Sequence, residues 1–173
     1  MKSELLIGNA EISLVNYSKH DDADMYNCWL DIDTQKGYNY VFLDSFDEFV
    51  NYDRGLFKFW ATIIDVKTDK RVGVLRLGPQ ETAPDLAIWI YPQYRRQGFA
   101  YKAYKLALEY IFMTFSYDEI SSGVYIDNVA SIKLMEKIGF KRVPNLDSVE
   151  NKIFTNEETI QRVYRIKKTD FLS

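Results

Sequence analysis

The chain has one cysteine and one histidine in 173 residues. A lone Cys28 excludes an internal disulfide framework. With only His20 beside it, a Cys/His zinc site is excluded as well. No apolar run approaches the roughly 20 residues of a membrane-spanning helix. Met1-Lys2-Ser3-Glu4 opens the chain without an apolar signal region. These absences lead us to expect a cytoplasmic protein with no metal and no membrane partner. An excess of basic charge is missing too. Lys and Arg number 22 against 25 Asp and Glu, a net charge of −3. A dedicated nucleic-acid binder would show a basic face, so no nucleic-acid partner is expected. Two familiar phosphate loops are absent: there is no G-x-x-x-x-G-K-[ST], and no G-x-G-x-x-G follows a strand.

What is present suits one domain. At 47% hydrophobic and 27% charged, a chain of this length buries a real core. Residues 1–173 show no repeats, low-complexity tracts or linkers. Charge is unevenly spread. Asp21, Asp22, Asp24, Asp31, Asp33, Asp44, Asp47, Glu48 and Asp53 crowd the segment 21–53, where Lys36 and no other base occurs. That segment is either a solvated face of surface helices or a negative potential that draws a cationic acceptor.

Hydrophobic periodicity orders the elements. Strands at 5–7 and 10–15 flank Gly8-Asn9, a hairpin turn. Met25, Cys28, Trp29 and Ile32 predict a helix over 20–32, with Cys28 in the core. Residues 37–40 read as loop. Ser45 and Glu48 form a capping-box signal for a helix over 46–53. Strands follow at 57–66 and 71–77, then 85–91, a loop 92–97, a helix 98–114, a strand 119–126 and a helix 128–138. A polar excursion, 143–157, precedes a last strand, 159–166. The expected fold is α+β with a mixed, mostly antiparallel central sheet.

The segment Arg95-Arg96-Gln97-Gly98-Phe99-Ala100 carries the chemistry. It lies between an apolar strand, stopped by Pro92, and a helix whose apolar face runs through Ala103, Leu106, Ala107, Tyr110 and Ile111. A helix start has unpaired N–H groups and a positive dipole end, which suits an anion. Gly98 lets a phosphate approach the backbone, and two arginines add fork-shaped donors. Farther on, Asn128 or Asp127 is a helix N-cap candidate. Ser131, Leu134, Met135 and Ile138 share one helix face, and Gly139 sits where a left-handed C-terminal residue belongs.

These two segments resemble the paired signatures of the GNAT superfamily of acyl-CoA-dependent N-acyltransferases. The first matches its pyrophosphate loop, [QR]-x-x-G-x-[GA], at Arg95, Gly98 and Ala100. The second matches strand-N-x-x-S followed by K-x-G-F at Asn128, Ser131, Lys137, Gly139 and Phe140. Ser131, with Met135 where many relatives have tyrosine, is most similar to the RimJ/RimL-type branch. The resemblance implies helices on both faces of the sheet and a splayed parallel strand pair, 85–91 and 119–126, holding the cosubstrate acetyl-CoA. It implies that the backbone groups of Ile88, Trp89 and Ile90 hold the pantetheine arm, one N–H acting as an oxyanion donor. It implies a pyrophosphate cradle of N–H groups from Arg95, Arg96, Gln97, Gly98, Phe99 and Ala100, with Arg95 or Arg96 pairing to phosphate, and Asn128 near the thioester.

The implied reaction is direct attack of a primary amine on acetyl-CoA. Asp85, at the start of the splayed strand, is the candidate base, against a reading as a solvated carboxylate. Ser131 is the candidate proton donor, against a structural hydroxyl. The acceptor is expected to be a protein N-terminus or a small cationic amine, and the enzyme a possible homodimer. The competing expectation is a non-catalytic acyl-CoA-binding sensor or interaction module.

Overall fold

The computed structural model describes residues 4–173. Met1, Lys2 and Ser3, from the stretch read as lacking a signal region, lie outside the described residues. The described residues form nine strands and six α-helices. Strands β1 (Leu5–Gly8), β2 (Ile12–Asn16), β3 (Phe59–Asp65), β4 (Lys70–Leu77) and β5 (Leu86–Ile90) form one antiparallel sheet in that order. The expected turn at Gly8-Asn9 joins β1 to β2, and Asn9 Oδ1 accepts from Glu11 N and Ile12 N at 2.9 and 3.0 Å. A second antiparallel sheet contains β6 (Glu119–Tyr125), β7 (Lys141–Arg142), β8 (Ser148–Asn151) and β9 (Glu158–Lys167).

The mixed character of the sheet is confined to one place. Strands β5 and β6 run parallel and touch through a single bridge, Asp85 to Ser121, with Ser121 N donating to Pro84 O at 3.0 Å. Past that bridge the two sheets part.

Alternation along the first sheet builds a core on each face. Leu75, Leu77 and Leu86 pack with Ala103, Leu106, Ala107, Leu108 and Ile111 of helix α4 (Phe99–Thr114). Met135 of helix α5 (Val129–Ile138) joins that side. Val74, Ala87, Trp89 and Tyr91 point the other way. They pack with Met25 and Cys28 of α1 (Asp22–Leu30) and with Phe49 of α3 (Phe46–Val50). Cys28 is 1% exposed, as expected of a core residue, and burial pushes its thiol pKa up.

Four segments depart from the sequence reading. The helix expected over 20–32 breaks at Asp31, whose ψ of 124° is extended. Asp31 Oδ2 accepts from Thr34 N at 2.9 Å and starts a new helix, α2 (Ile32–Tyr38). The side-chain cap competes with helix continuation and wins. Helix α2 therefore takes up Gly37 and Tyr38, expected in a loop. It ends at Asn39 in the left-handed region, φ 49°. Within the polar excursion, β8 pairs with β9, its partner supplying the order that its own residues do not signal. The capping box of Ser45 and Glu48 is present, but α3 stops at Val50. A last short helix, α6 (Lys168–Phe171), follows β9.

Candidate active site

The parting of β5 from β6 opens a cleft of about 1020 Å³ lined by both strands, α2, α4 and α5. Which backbone groups face it follows from the ladder with β4. Asp85 O accepts from Gly78 N at 2.7 Å, and Tyr91 N donates to Val72 O at 3.0 Å. Both groups look toward β4. By the two-residue period of a strand, so do those of Ala87 and Trp89. A Cβ on Gly73 would collide with the Trp89 carbonyl oxygen, which places that oxygen against β4. Trp89 therefore cannot hold a pantetheine amide through its backbone, and that expectation is corrected. Its ring instead stacks on Tyr38 and Trp60.

The groups of Leu86, Ile88 and Ile90 face the cleft. Their carbonyls are met by side chains rather than by a neighbouring strand. Leu86 O accepts from Tyr104 Oη at 2.5 Å and from Ser122 Oγ at 3.3 Å. Ile88 O accepts from Tyr38 Oη at 2.5 Å, and Ile90 O from Arg95 Nε at 3.2 Å. The N–H groups of Ile88 and Ile90 point along the same edge into the cleft. Ile88 and Ile90 thus present backbone donors along the cleft edge of β5.

The loop ahead of α4 is held in an unusual backbone shape. Arg96 and Gly98 both adopt left-handed conformations, φ 60° and 82°. Gly98 is the N-cap residue of α4, and a Cβ there would meet nothing within 4 Å. Glycine answers the positive φ, and the space above it is open. The first N–H groups of α4, from Phe99 and Ala100 onward, have no intrahelical acceptor. Gln97 turns its side chain back, Nε2 donating to Gln93 O at 3.1 Å.

The two arginines of this loop differ. Arg95 Nη2 donates to Asp31 Oδ2 at 2.8 Å and to Thr34 Oγ1 at 2.7 Å. Its N–H contacts Pro92 O at 3.4 Å. Arg95 is committed to the α1–α2 junction and is corrected as a phosphate partner. Burial works to raise the Asp31 pKa, but the hydrogen bonds from Arg95 and Thr34 outweigh it and leave the carboxyl below its usual value. Arg96 is exposed. Lys133 and Lys137 of α5 line the same cleft and give it a cationic rim.

Asp85 lies at the narrow end. Its Oδ1 accepts from Gly123 N at 3.3 Å, across the seam between the sheets. Arg76 Nη2 stands 3.6 Å from its Oδ2. Burial pushes the Asp85 carboxyl above its ordinary pKa, while Arg76 and the Gly123 N–H pull against that rise. Asn128 is the N-cap of α5, its Oδ1 accepting from Ser131 N at 3.2 Å. Asn128 and Ser131 both line the cleft. Buried Met135 also lines it and offers no proton. Tyr38 and Arg76 were missed as site residues. Tyr38 lay in an expected loop, and Arg76 carries no motif, only a place at the end of a strand.

The acidic segment is largely used by the fold. Buried Asp21 pairs with Arg71 and accepts from Ser18 N at 2.7 Å. Buried Asp22 accepts from Tyr17 Oη at 2.7 Å and stands 3.4 Å from Arg54. Asp31 and Glu48 serve as cap and capping-box residues, and Asp53 caps the short turn that follows α3. Of the remainder, exposed Asp33 reaches the cleft.

Comparison with known proteins agrees with this geometry. Residues 11–141 match the model of an acetyltransferase (GNAT) domain family. The structure is similar to that of spermidine N-acetyltransferase from Vibrio cholerae in complex with CoA and spermine. The TM-score is 0.84 at 20% identity, covering 95% of this chain and 100% of that one. It is also similar to an acetyltransferase of the GNAT family from Bacillus anthracis, with a TM-score of 0.78 at 22% identity over 94% and 98% of the two chains. No curated protein matches the sequence. With three quarters of its length inside the family match and the splayed strands, donor edge and left-handed glycine loop in place, the chain belongs to the GNAT acetyltransferase family.

Proposed function

We propose that residues 1–173 form one N-acetyltransferase domain that moves an acetyl group from acetyl-CoA to a primary amine by direct attack. The observation that carries this reading is the N–H edge of Ile88 and Ile90, unpaired among the described residues, leading to the open, left-handed Gly98 at the start of α4. In this reading the pantetheine carbonyls accept from Ile88 N and Ile90 N. The pyrophosphate rests on N–H groups of Gln97, Gly98, Phe99 and Ala100, with Arg96 supplying charge. Asn128 borders the thioester end. Serine at 131 with methionine four residues on supports the RimJ/RimL-type branch. The spermine complex of the Vibrio cholerae enzyme supports a small-molecule amine over a protein N-terminus.

Acetyl-CoA supplies an activated acetyl group: the amide C–N bond forms as the thioester C–S bond breaks. The amine must be neutral to attack, and Asp85 accepts its proton, directly or through a water. Its raised pKa suits it to that task. An N–H on the cleft edge of β5 donates to the carbonyl oxygen as charge develops there. Ser131 Oγ–H hydrogen-bonds to the departing thiolate and relays a proton to it, taking one from solvent in the same step.

Calorimetric titration with acetyl-CoA tests the reading, run beside Gly98→Glu, which sets a carboxylate in the cradle. The wild type binds and the folded variant does not. Thiol release is then followed over an amine panel. Absence of wild-type binding overturns the reading. Binding without turnover of any amine replaces it with the acyl-CoA sensor.

A further inference from the structure

Beside Asp85 the cleft wall holds a guanidinium that the fold leaves unsatisfied. Arg76, near the end of β4, sets its Cζ 4.5 Å from the Phe57 ring centroid, 5.6 Å from that of Trp89 and 5.9 Å from that of Trp60. Three aromatic rings fix its position without offering the in-plane oxygen that a guanidinium fork matches. Its Nε is buried with no partner. Asp85 Oδ2, at 3.6 Å, makes an ion pair but lies beyond hydrogen-bond reach. Among the described residues no acceptor takes a hydrogen bond from Arg76. Half-buried guanidinium groups ordinarily find such acceptors. The side chain is 25% exposed and lines the cleft, so its terminal donors are open to whatever binds beside Asp85.

A fixed cation with a free fork selects its ligand. It repels a second ammonium group and offers a carboxylate two parallel hydrogen bonds. We infer that the acceptor is an amine that also bears a carboxylate, with Arg76 as the specificity-determining residue. The inference rests on the acetyltransferase reading, with the amine facing Asp85. Since Arg76 and Asp85 are neighbours, the carboxylate and the amine are separated by few atoms, as in a free α- or β-amino acid. A polyamine carries no carboxylate, and at a protein N-terminus the α-carboxylate is consumed by the peptide bond. The same guanidinium favours the neutral, attacking form of the amine over the ammonium.

Matched acceptors test this: free amino acids, their carboxamides, the corresponding amines without the carboxyl group, and a diamine, each followed by thiol release from acetyl-CoA. The carboxamides have the more readily deprotonated amine, so a preference for the acids cannot arise from amine basicity. The wild type is expected to use the free acids with kcat/KM about tenfold or more above their carboxamides. Arg76→Met is expected to erase that preference while acetyl-CoA still binds by calorimetry. Arg76→Lys, keeping charge without the fork, retains part of it. A wild type that prefers carboxamides or the diamine overturns the inference and leaves the acetyltransferase reading standing. So does an Arg76→Met protein that keeps the preference for acids. If no amine is turned over, both fall. The wild-type series decides the matter even where a variant does not fold.

Discussion

Arg95 Nη2 lies 2.8 Å from Asp31 Oδ2, and this pair ties the loop ahead of α4 to the break between α1 and α2. The arginine that fills the first position of the phosphate-loop pattern is thus a strut between the α4 side and the α1–α2 side of the sheet. Its Nε also caps Ile90 O on the cleft edge of β5.

The two arginines should therefore separate in experiment. Arg95→Met is expected to lower stability by about 1 kcal/mol, since the pair is partly exposed, which is roughly 2–4 °C in Tm. Arg96→Ala is expected to leave Tm unchanged and weaken acetyl-CoA binding about fivefold through the loss of one phosphate contact. Thermal unfolding and calorimetric titration of both variants check the assignment. The reverse pattern would return Arg95 to the phosphate.

Asp85 gives a pH-dependent outcome. Its folded pKa is raised, chiefly by burial, so between the unfolded and folded values the native state holds the extra proton. The ionised form costs stability at neutral pH, and that cost disappears as pH falls through the folded pKa. Asp85→Asn, which mimics the protonated group, is expected to match or exceed the wild-type Tm at pH 7. The advantage vanishes below the ordinary carboxylate range. The variant should lose turnover at pH 7 with little change in acetyl-CoA affinity. The wild-type rate should rise along an acidic limb above the ordinary carboxylate pKa, and the variant should lack that limb.

The sequence made helices α4 and α5 legible because their signals are local. The apolar face of α4 repeats every turn, and Gly98 and Gly139 both stand at positive φ, 82° and 108°. The splayed strands were legible as apolar runs. The direction of their backbone groups was not. Whether Trp89 or Ile88 faces the cleft depends on which neighbour β5 pairs with, and that is a property of the whole sheet. The break at Asp31 was hidden because Met25, Cys28, Trp29 and Ile32 keep one helical period across it. What ends α1 is a side-chain cap anchored by Arg95, 64 positions away along the chain. Arg76 and Tyr38 were illegible for the same reason, since only tertiary packing brings them to Asp85 and Ile88.

Asp21 tests the structural use of the acidic segment. It is fully buried, with Arg71 and the Ser18 backbone as partners. Asp21→Ala removes a fully buried carboxylate that pairs with Arg71 and accepts from Ser18 N, and is expected to cost about 3 kcal/mol, roughly 6–12 °C in Tm. Turnover per folded molecule should be unchanged, because Asp21 stands on the α1 side of the sheet, away from the cleft-lining residues. A fall in kcat at wild-type Tm would assign this carboxylate to the acceptor instead.

The hydroxyl that protonates the leaving thiolate is settled by comparing Ser131 with Tyr38. Tyr38 Oη is already donated to Ile88 O at 2.5 Å, and burial drives its pKa well above that of a free phenol. It stays protonated throughout the working range and contributes no titrating limb. Ser131 lines the cleft from α5, as Met135 does. Ser131→Ala is expected to lower kcat about tenfold or more with little change in the KM for acetyl-CoA. Tyr38→Phe frees the Ile88 carbonyl for a pantetheine N–H, so acetyl-CoA affinity should hold or rise while kcat stays within about threefold, as for loss of a neutral hydrogen bond. Steady-state kinetics of the two variants, with a thiol-release assay, distinguish them. A large kcat loss in Tyr38→Phe with an unaffected Ser131→Ala would move the proton donor from α5 to α2.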